Sequence, residues 1–166
     1  MPRRLTTLAS LLLAAAFSPA HAAPTYGPEL QGFSYPHPVQ HYKFVSQGEQ
    51  LQMAYMDVAP TGKANGKTAV LMHGKNFCGA TWDSQITALS GAGYRVIAPD
   101  QIGFCTSSKP AHYQYTFQQL AANTAGLLKQ AGVTRAVLVA HSTGGMLATR
   151  YALMYPLAVS QLVMVN

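Results

Sequence analysis

Ser142 stands in the run Ala140-His141-Ser142-Thr143-Gly144-Gly145, with a small residue two places before it and another two places after it. A serine hydroxyl is a weak nucleophile until a base takes its proton, so a reactive serine must be held out where base and substrate reach it. A tight strand-to-helix turn does this, and the crowding at such a turn admits only small side chains at the flanking positions, as Ala140 and Gly144 are. The first N–H groups of the following helix then face any negative charge that develops on an attacked carbonyl, which makes the Thr143 N–H a candidate oxyanion donor. Serine is also a common helix N-cap, so the run alone admits a purely structural reading. His141 adjoins the serine, but neighbours on so sharp a turn point apart, and it reads as a packing residue, with Gly145 as part of the turn.

A second cluster lies upstream at His73-Gly74-Lys75-Asn76-Phe77, directly after the apolar run Thr68–Met72. A turn there presents backbone N–H groups beside the serine, and those of Lys75 and Asn76 are the candidates for the second oxyanion donor. The bland alternative is a glycine turn at Gly74 with a buried, hydrogen-bonded His73 and a solvated Lys75.

Both clusters need elements to position them. Residues 23–40 are rich in proline and glycine and read as an irregular lead-in. His41–Val45 and Leu51–Val58, broken at Gln47-Gly48, read as a β-hairpin. Thr68–Met72, Arg95–Ala98, Ala136–Ala140 and Val159–Val165 are short, continuously apolar runs, as expected of strands buried on both faces. Helical patterns alternate with them at Thr81–Leu89, from Thr116 to Gly132, and at Met146–Tyr155. Thr116 with Gln119 three residues on forms a capping-box signal, and Gly132 and Pro156 are stop signals. Alternation of this kind predicts an α/β fold, a mostly parallel sheet with helices on both faces.

Three features in this order make the chain similar to the α/β-hydrolase family: the His73-Gly74 turn, the Asp-x-x-Gly-x-x-x-Ser segment at Asp100, Gly103 and Ser107, and the serine turn at 142. The resemblance runs from His41 onward and implies the N-terminal portion of such a domain over residues 41–166. It implies Ser142 as the nucleophile, acylated by substrate, with the oxyanion held by backbone N–H groups. In the family the acid and the histidine follow the nucleophile, whereas no Asp, Glu or His follows Ser142 here. The base, the acid and any inserted cap are therefore expected beyond Asn166. His73 and Asp100 match structural positions. A serine rather than an aspartate argues against the dehalogenase and epoxide-hydrolase branches, which form an ester on a carboxylate. Where the family segment has a second glycine this chain has Cys105, and Cys78 follows the oxyanion turn. Adjacent strands lead to the two loops, so a Cys78–Cys105 disulfide is the expectation, with two unpaired thiols the alternative. Closing such a loop stabilises by about 3–4 kcal/mol in the chain-entropy picture.

Composition narrows the function. Arg3 and Arg4, the apolar run Leu8–Phe17 and the small-x-small site at Ala20-His21-Ala22 predict a signal peptide over residues 1–22 and export to the periplasm or medium. The run is too short for a stable membrane anchor. The 11 Lys and Arg residues against 5 acidic ones give a formal +6, but they are scattered rather than striped, which argues against nucleic acid. No phosphate-loop or dinucleotide pattern is present and the histidines stand apart from carboxylates, so neither cofactor nor metal is expected. The leading expectation is a hydrolase of small carboxylic-ester-like acyl substrates. C–C hydrolase, aminopeptidase and perhydrolase chemistry share the same serine turn. A binding protein or inactive fragment on this scaffold is the alternative from another class.

Overall fold

The computed structural model describes residues 24–165; the expected signal peptide and Asn166 lie outside the described residues. The lead-in is irregular as far as Pro38. It is followed by β1 (Val39–Ser46) and β2 (Glu49–Val58), an antiparallel pair in which Ser46 faces Glu49. Their two-residue connection has positive φ at both Gln47 (52°) and Gly48 (82°). That geometry matches the twist of paired strands, and Gly48 adopts it without penalty.

The remaining strands are β3 (Thr68–Met72), β4 (Arg95–Pro99), β5 (Ala136–His141) and β6 (Val159–Val165), in the sheet order β1-β2-β4-β3-β5-β6. β4 runs antiparallel to β2, and β3, β4, β5 and β6 are mutually parallel. Arg95 donates two hydrogen bonds to the Asp57 carboxylate, at 2.9 and 2.6 Å, which pins the hairpin to the parallel part. The helices are α1 (Asp83–Gly91), α2 (Phe117–Gln130) and α3 (Thr143–Met154), with 3₁₀ turns at Gly79–Trp82 and Pro156–Ala158.

Alternate residues of each strand supply two separate cores. Val70 and Met72, with Ile97, Leu138 and Ala140, face α2 and α3 and pack on Leu120, Leu127, Leu128, Leu147 and Ala148. Ala69 and Leu71, with Val96 and Ala98, face the other way onto Trp82 and Ile86 around α1. Helices on both faces explain why these strands carry unbroken apolar runs.

The chain leaves β3 for β4 on one side and then crosses to β5 on the other. The connections therefore diverge at the C-terminal ends of β3 and β5. In open α/β sheets this switch point opens a crevice, and the two turns that end these strands are the two clusters singled out from sequence.

Two element boundaries differ from the sequence pattern. α3 begins at Thr143 rather than Met146, because the turn at Ser142 starts the helix despite two poorly helix-forming glycines. The predicted helix at Thr81–Leu89 instead splits into the first 3₁₀ turn and α1, which places Trp82 at the junction, buried.

Candidate active site

Ser142 follows the last residue of β5 and caps α3 with φ 54° and ψ −122°, a conformation that a residue with a β-carbon seldom adopts. Holding it there costs about 1–3 kcal/mol and needs support from both sides. The Ser142 N–H donates to Val165 O at 3.2 Å, and Ser142 O accepts from Gly145 N at 2.8 Å. A β-carbon on Gly144 would lie 2.2 Å from Met72 O and 2.6 Å from His73 O, so the first turn of α3 sits directly on the backbone of β3. The serine itself is exposed, which is the purpose of such a turn.

The upstream turn touches this one. A β-carbon on Gly74 would meet His141 Nδ1 at 2.9 Å and Ser142 Cβ at 3.2 Å. Among the described residues, the N–H groups of Lys75, Asn76 and Thr143 make no turn or loop bond to a backbone carbonyl. Lys75 and Thr143 line one small cavity of about 20 Å³ together with Gly74, and Asn76 does not line it. Asn76 has φ 65° and turns the chain away, and Phe77 N closes the turn on Gly74 O at 3.2 Å.

His73 is not available as a base. It is buried; its Nδ1 lies 2.8 Å from Gly74 O and its Nε2 accepts the Gln101 N–H at 3.0 Å. These partners imply the Nδ1–H tautomer. Burial holds its pKa below the ordinary histidine value, against the opposing pull of the Gly74 carbonyl and the Asp100 charge. His73 is thus a neutral strut joining the turn at Gly74 to the loop after β4. The half-buried His141 ring meets Phe77 edge-on, with centroids 5.7 Å apart.

The Asp100 carboxylate is fully occupied as well. It is buried and accepts from Gly79 N at 2.7 Å, Thr106 N at 3.2 Å, Thr106 Oγ1 at 2.9 Å and the Tyr35 hydroxyl. Burial, followed by the bond to Asp100, raises the Tyr35 pKa well above the usual phenol value. Sequence reasoning missed Tyr35: it lies 65 residues away in an aperiodic lead-in and carries no local signal.

Cys78 and Cys105 are joined in a disulfide with Cα atoms 5.7 Å apart. Cys105 has φ 50°, the left-handed region that favours glycine. The two sulfurs and an Asp100 oxygen lie within 4.8 Å of one another, the spacing of a metal site. Sulfurs bonded to each other are not thiolate ligands, and the Asp100 lone pairs are already engaged, so this trio does not fit a metal.

Ser142 borders a groove of about 460 Å³ lined by Phe117, Met146, Leu153 and Met164, with Arg150 among them. A second cavity of about 240 Å³ lies on the α1 side, against Phe77, Trp82 and His141.

The family description "alpha/beta hydrolase fold" matches residues 68–166, which take in both turns, the Asp100 loop and α3. The chain belongs to the alpha/beta hydrolase fold family. An AB hydrolase superfamily protein, YfhM, of Bacillus subtilis is 36% identical over 112 residues, 67% of this chain and 39% of that protein. Epoxide hydrolase A of Mycobacterium tuberculosis is 36% identical over 99 residues, 59% of this chain and 31% of its own length. Among solved structures, a probable hydrolytic enzyme from Pseudomonas aeruginosa PAO1 is 64% identical with a TM-score of 0.85, covering 87% of this chain and 46% of that one. The chain thus spans less than half the length of each of these relatives.

Proposed function

We propose that the protein containing this chain is an exported serine hydrolase that cleaves small carboxylic-ester-like substrates through an acyl-enzyme on Ser142. The observation that carries this reading is an exposed serine on a strained turn, with the N–H of Thr143 next to it in sequence and the N–H of Lys75 following Gly74, which packs against the serine. Ser142 Oγ attacks the acyl carbon, its proton passes to a base, and the carbonyl oxygen becomes an oxyanion facing those N–H groups. Collapse expels the alcohol, which regains a proton, and water then releases the acid. The base and its carboxylate would come from the part of the relatives' length that this chain does not span, since His73 and Asp100 are committed to structural bonds.

Relatives named epoxide hydrolases do not transfer their substrate to this serine. A carboxylate that opens an epoxide forms an ester that water can cleave; a serine oxygen would form an ether, which water does not cleave at neutral pH. An acyl carbonyl is the electrophile that suits a hydroxyl nucleophile. The apolar groove beside Ser142 favours an apolar acyl group. Export is supported by the N-terminal signal pattern and by a disulfide at the site, since disulfides persist in oxidising compartments.

The test is hydrolysis of p-nitrophenyl acyl esters by the complete polypeptide. S142A is expected to lower kcat/KM by at least about a thousandfold. A folded S142A protein that keeps the parent rate would contradict the assignment, and a folded parent with no activity on any acyl substrate would favour the binding-protein reading.

A further inference from the structure

The turn that carries the Lys75 N–H has little of its own to hold it. Lys75, Asn76 and Phe77 are all exposed, and within the turn the Phe77 N–H bonds Gly74 O. At its start, Gly74 is wedged against Ser142. At its end, Cys78 is bonded to Cys105, whose sulfur lies 3.3 Å from Phe77 O.

The loop that carries Cys105 is held in the opposite manner. Gly103 N bonds Ser108 O, Ser107 N bonds Phe104 O, and the Ser107 hydroxyl donates to Asp100 O while accepting from Ala54 N. Ser108 exchanges bonds with Gln52 on β2 through its N–H and its hydroxyl oxygen. One rigid loop, anchored on β2 and on Asp100, is therefore tied covalently to one exposed turn beside the nucleophile.

We propose that the Cys78–Cys105 disulfide is a positioning device for the oxyanion turn, so that turnover depends on its oxidation state. This rests on the serine-hydrolase reading above. Both cysteines act through the turn and touch no reacting atom. With the bond intact, the Lys75 N–H is preorganised; with it cleaved, Gly74 against Ser142 and the Gly79 N–H on Asp100 still hold the two ends, but exposed residues 75–77 between them lose their covalent tie and the donor is displaced for much of the time. Preorganised donors act chiefly on the transition state, so the loss falls on kcat rather than KM.

The complete protein, treated with dithiothreitol and then iodoacetamide, tests this. The dithiol gives its two hydrogens to the two sulfurs and leaves as a cyclic disulfide, and alkylation of both Cys78 and Cys105, located by peptide mass spectrometry, reports completion. Expected are a fall in kcat of about tenfold or more, KM within about threefold, and recovery when unalkylated reduced protein is reoxidised; one oxyanion donor is worth about 10²–10³ in kcat. Deuterium exchange in residues 74–80 should rise about tenfold on reduction, while residues 136–141 stay protected. Unchanged kcat with unchanged exchange in the turn overturns the proposal. So does exchange that rises everywhere, since the disulfide then holds the fold rather than the turn. An oxidised protein that neither hydrolyses acyl esters nor reacts with a fluorophosphonate refutes the serine-hydrolase reading itself, and this proposal with it; that result is recognisable because it precedes any reduction.

Discussion

Gly144 and Gly145 stand side by side in the first turn of α3 yet face different obstacles. A β-carbon on Gly144 would strike Met72 O at 2.2 Å, a backbone atom that the sheet holds in place. On Gly145 it would meet the Met164 methyl at 2.6 Å, the end of a flexible side chain. Both substitutions to alanine gain about the same helix propensity, so their difference isolates packing. Gly144→Ala is expected to cost about 2–4 kcal/mol more than Gly145→Ala, read from urea midpoints, and equal costs would contradict the packing. His73 gives a second prediction at this scale. Its pKa is depressed in the fold by burial, while the unfolded chain has the ordinary value of about 6.5. Above that pH both states are neutral and its contribution is complete. Below it the unfolded state takes up a proton that the fold refuses, so stability falls as pH drops, by up to about 1.4 kcal/mol per pH unit. Urea titrations from about pH 8 to 5 should show this loss, and His73→Gln should remove that share of the slope. Identical slopes would mean that His73 is not held neutral.

The helices and strands show where local signals suffice. Thr116 was legible as a helix start because a hydroxyl at that position accepts an otherwise orphaned N–H, and its side chain does accept from Gln119 N at 3.1 Å. The reciprocal half of the capping box does not form, because the Gln119 amide turns to Asn123 Oδ1 at 3.0 Å. Thr116→Ala is therefore expected to cost about 1 kcal/mol in thermal or urea unfolding, and no loss would contradict the cap. The apolar strands β3, β4 and β5 were legible for an equally local reason, burial on both faces. The start of α3 was not, since propensity at Gly144-Gly145 argues against helix and only the contact with the β3 backbone overrides it. Nor was the 3₁₀ turn at Gly79–Trp82, which is set by the Gly79 N–H reaching Asp100 across 21 residues.

At the scale of the molecule, the site is a property of the sheet order. β3 and β5 are neighbours although β4 lies between them in sequence, and only that crossover brings the turn at 74–76 against Ser142. Sequence shows the two clusters and, through their order with Asp100, the family; it does not show the contacts between them. The links that hold the assembly, Tyr35 to Asp100 and Gln52 to Ser108, span 65 and 56 residues and have no periodic signature. If this arrangement makes Ser142 a reactive nucleophile, as proposed above, covalent trapping will detect it. The complete polypeptide should be incubated with a fluorophosphonate, digested, and the modified residue located by tandem mass spectrometry. The expected result is one adduct per chain on the peptide containing Ser142, abolished in S142A. A folded protein that takes up no label, or one labelled elsewhere and equally in S142A, would contradict it.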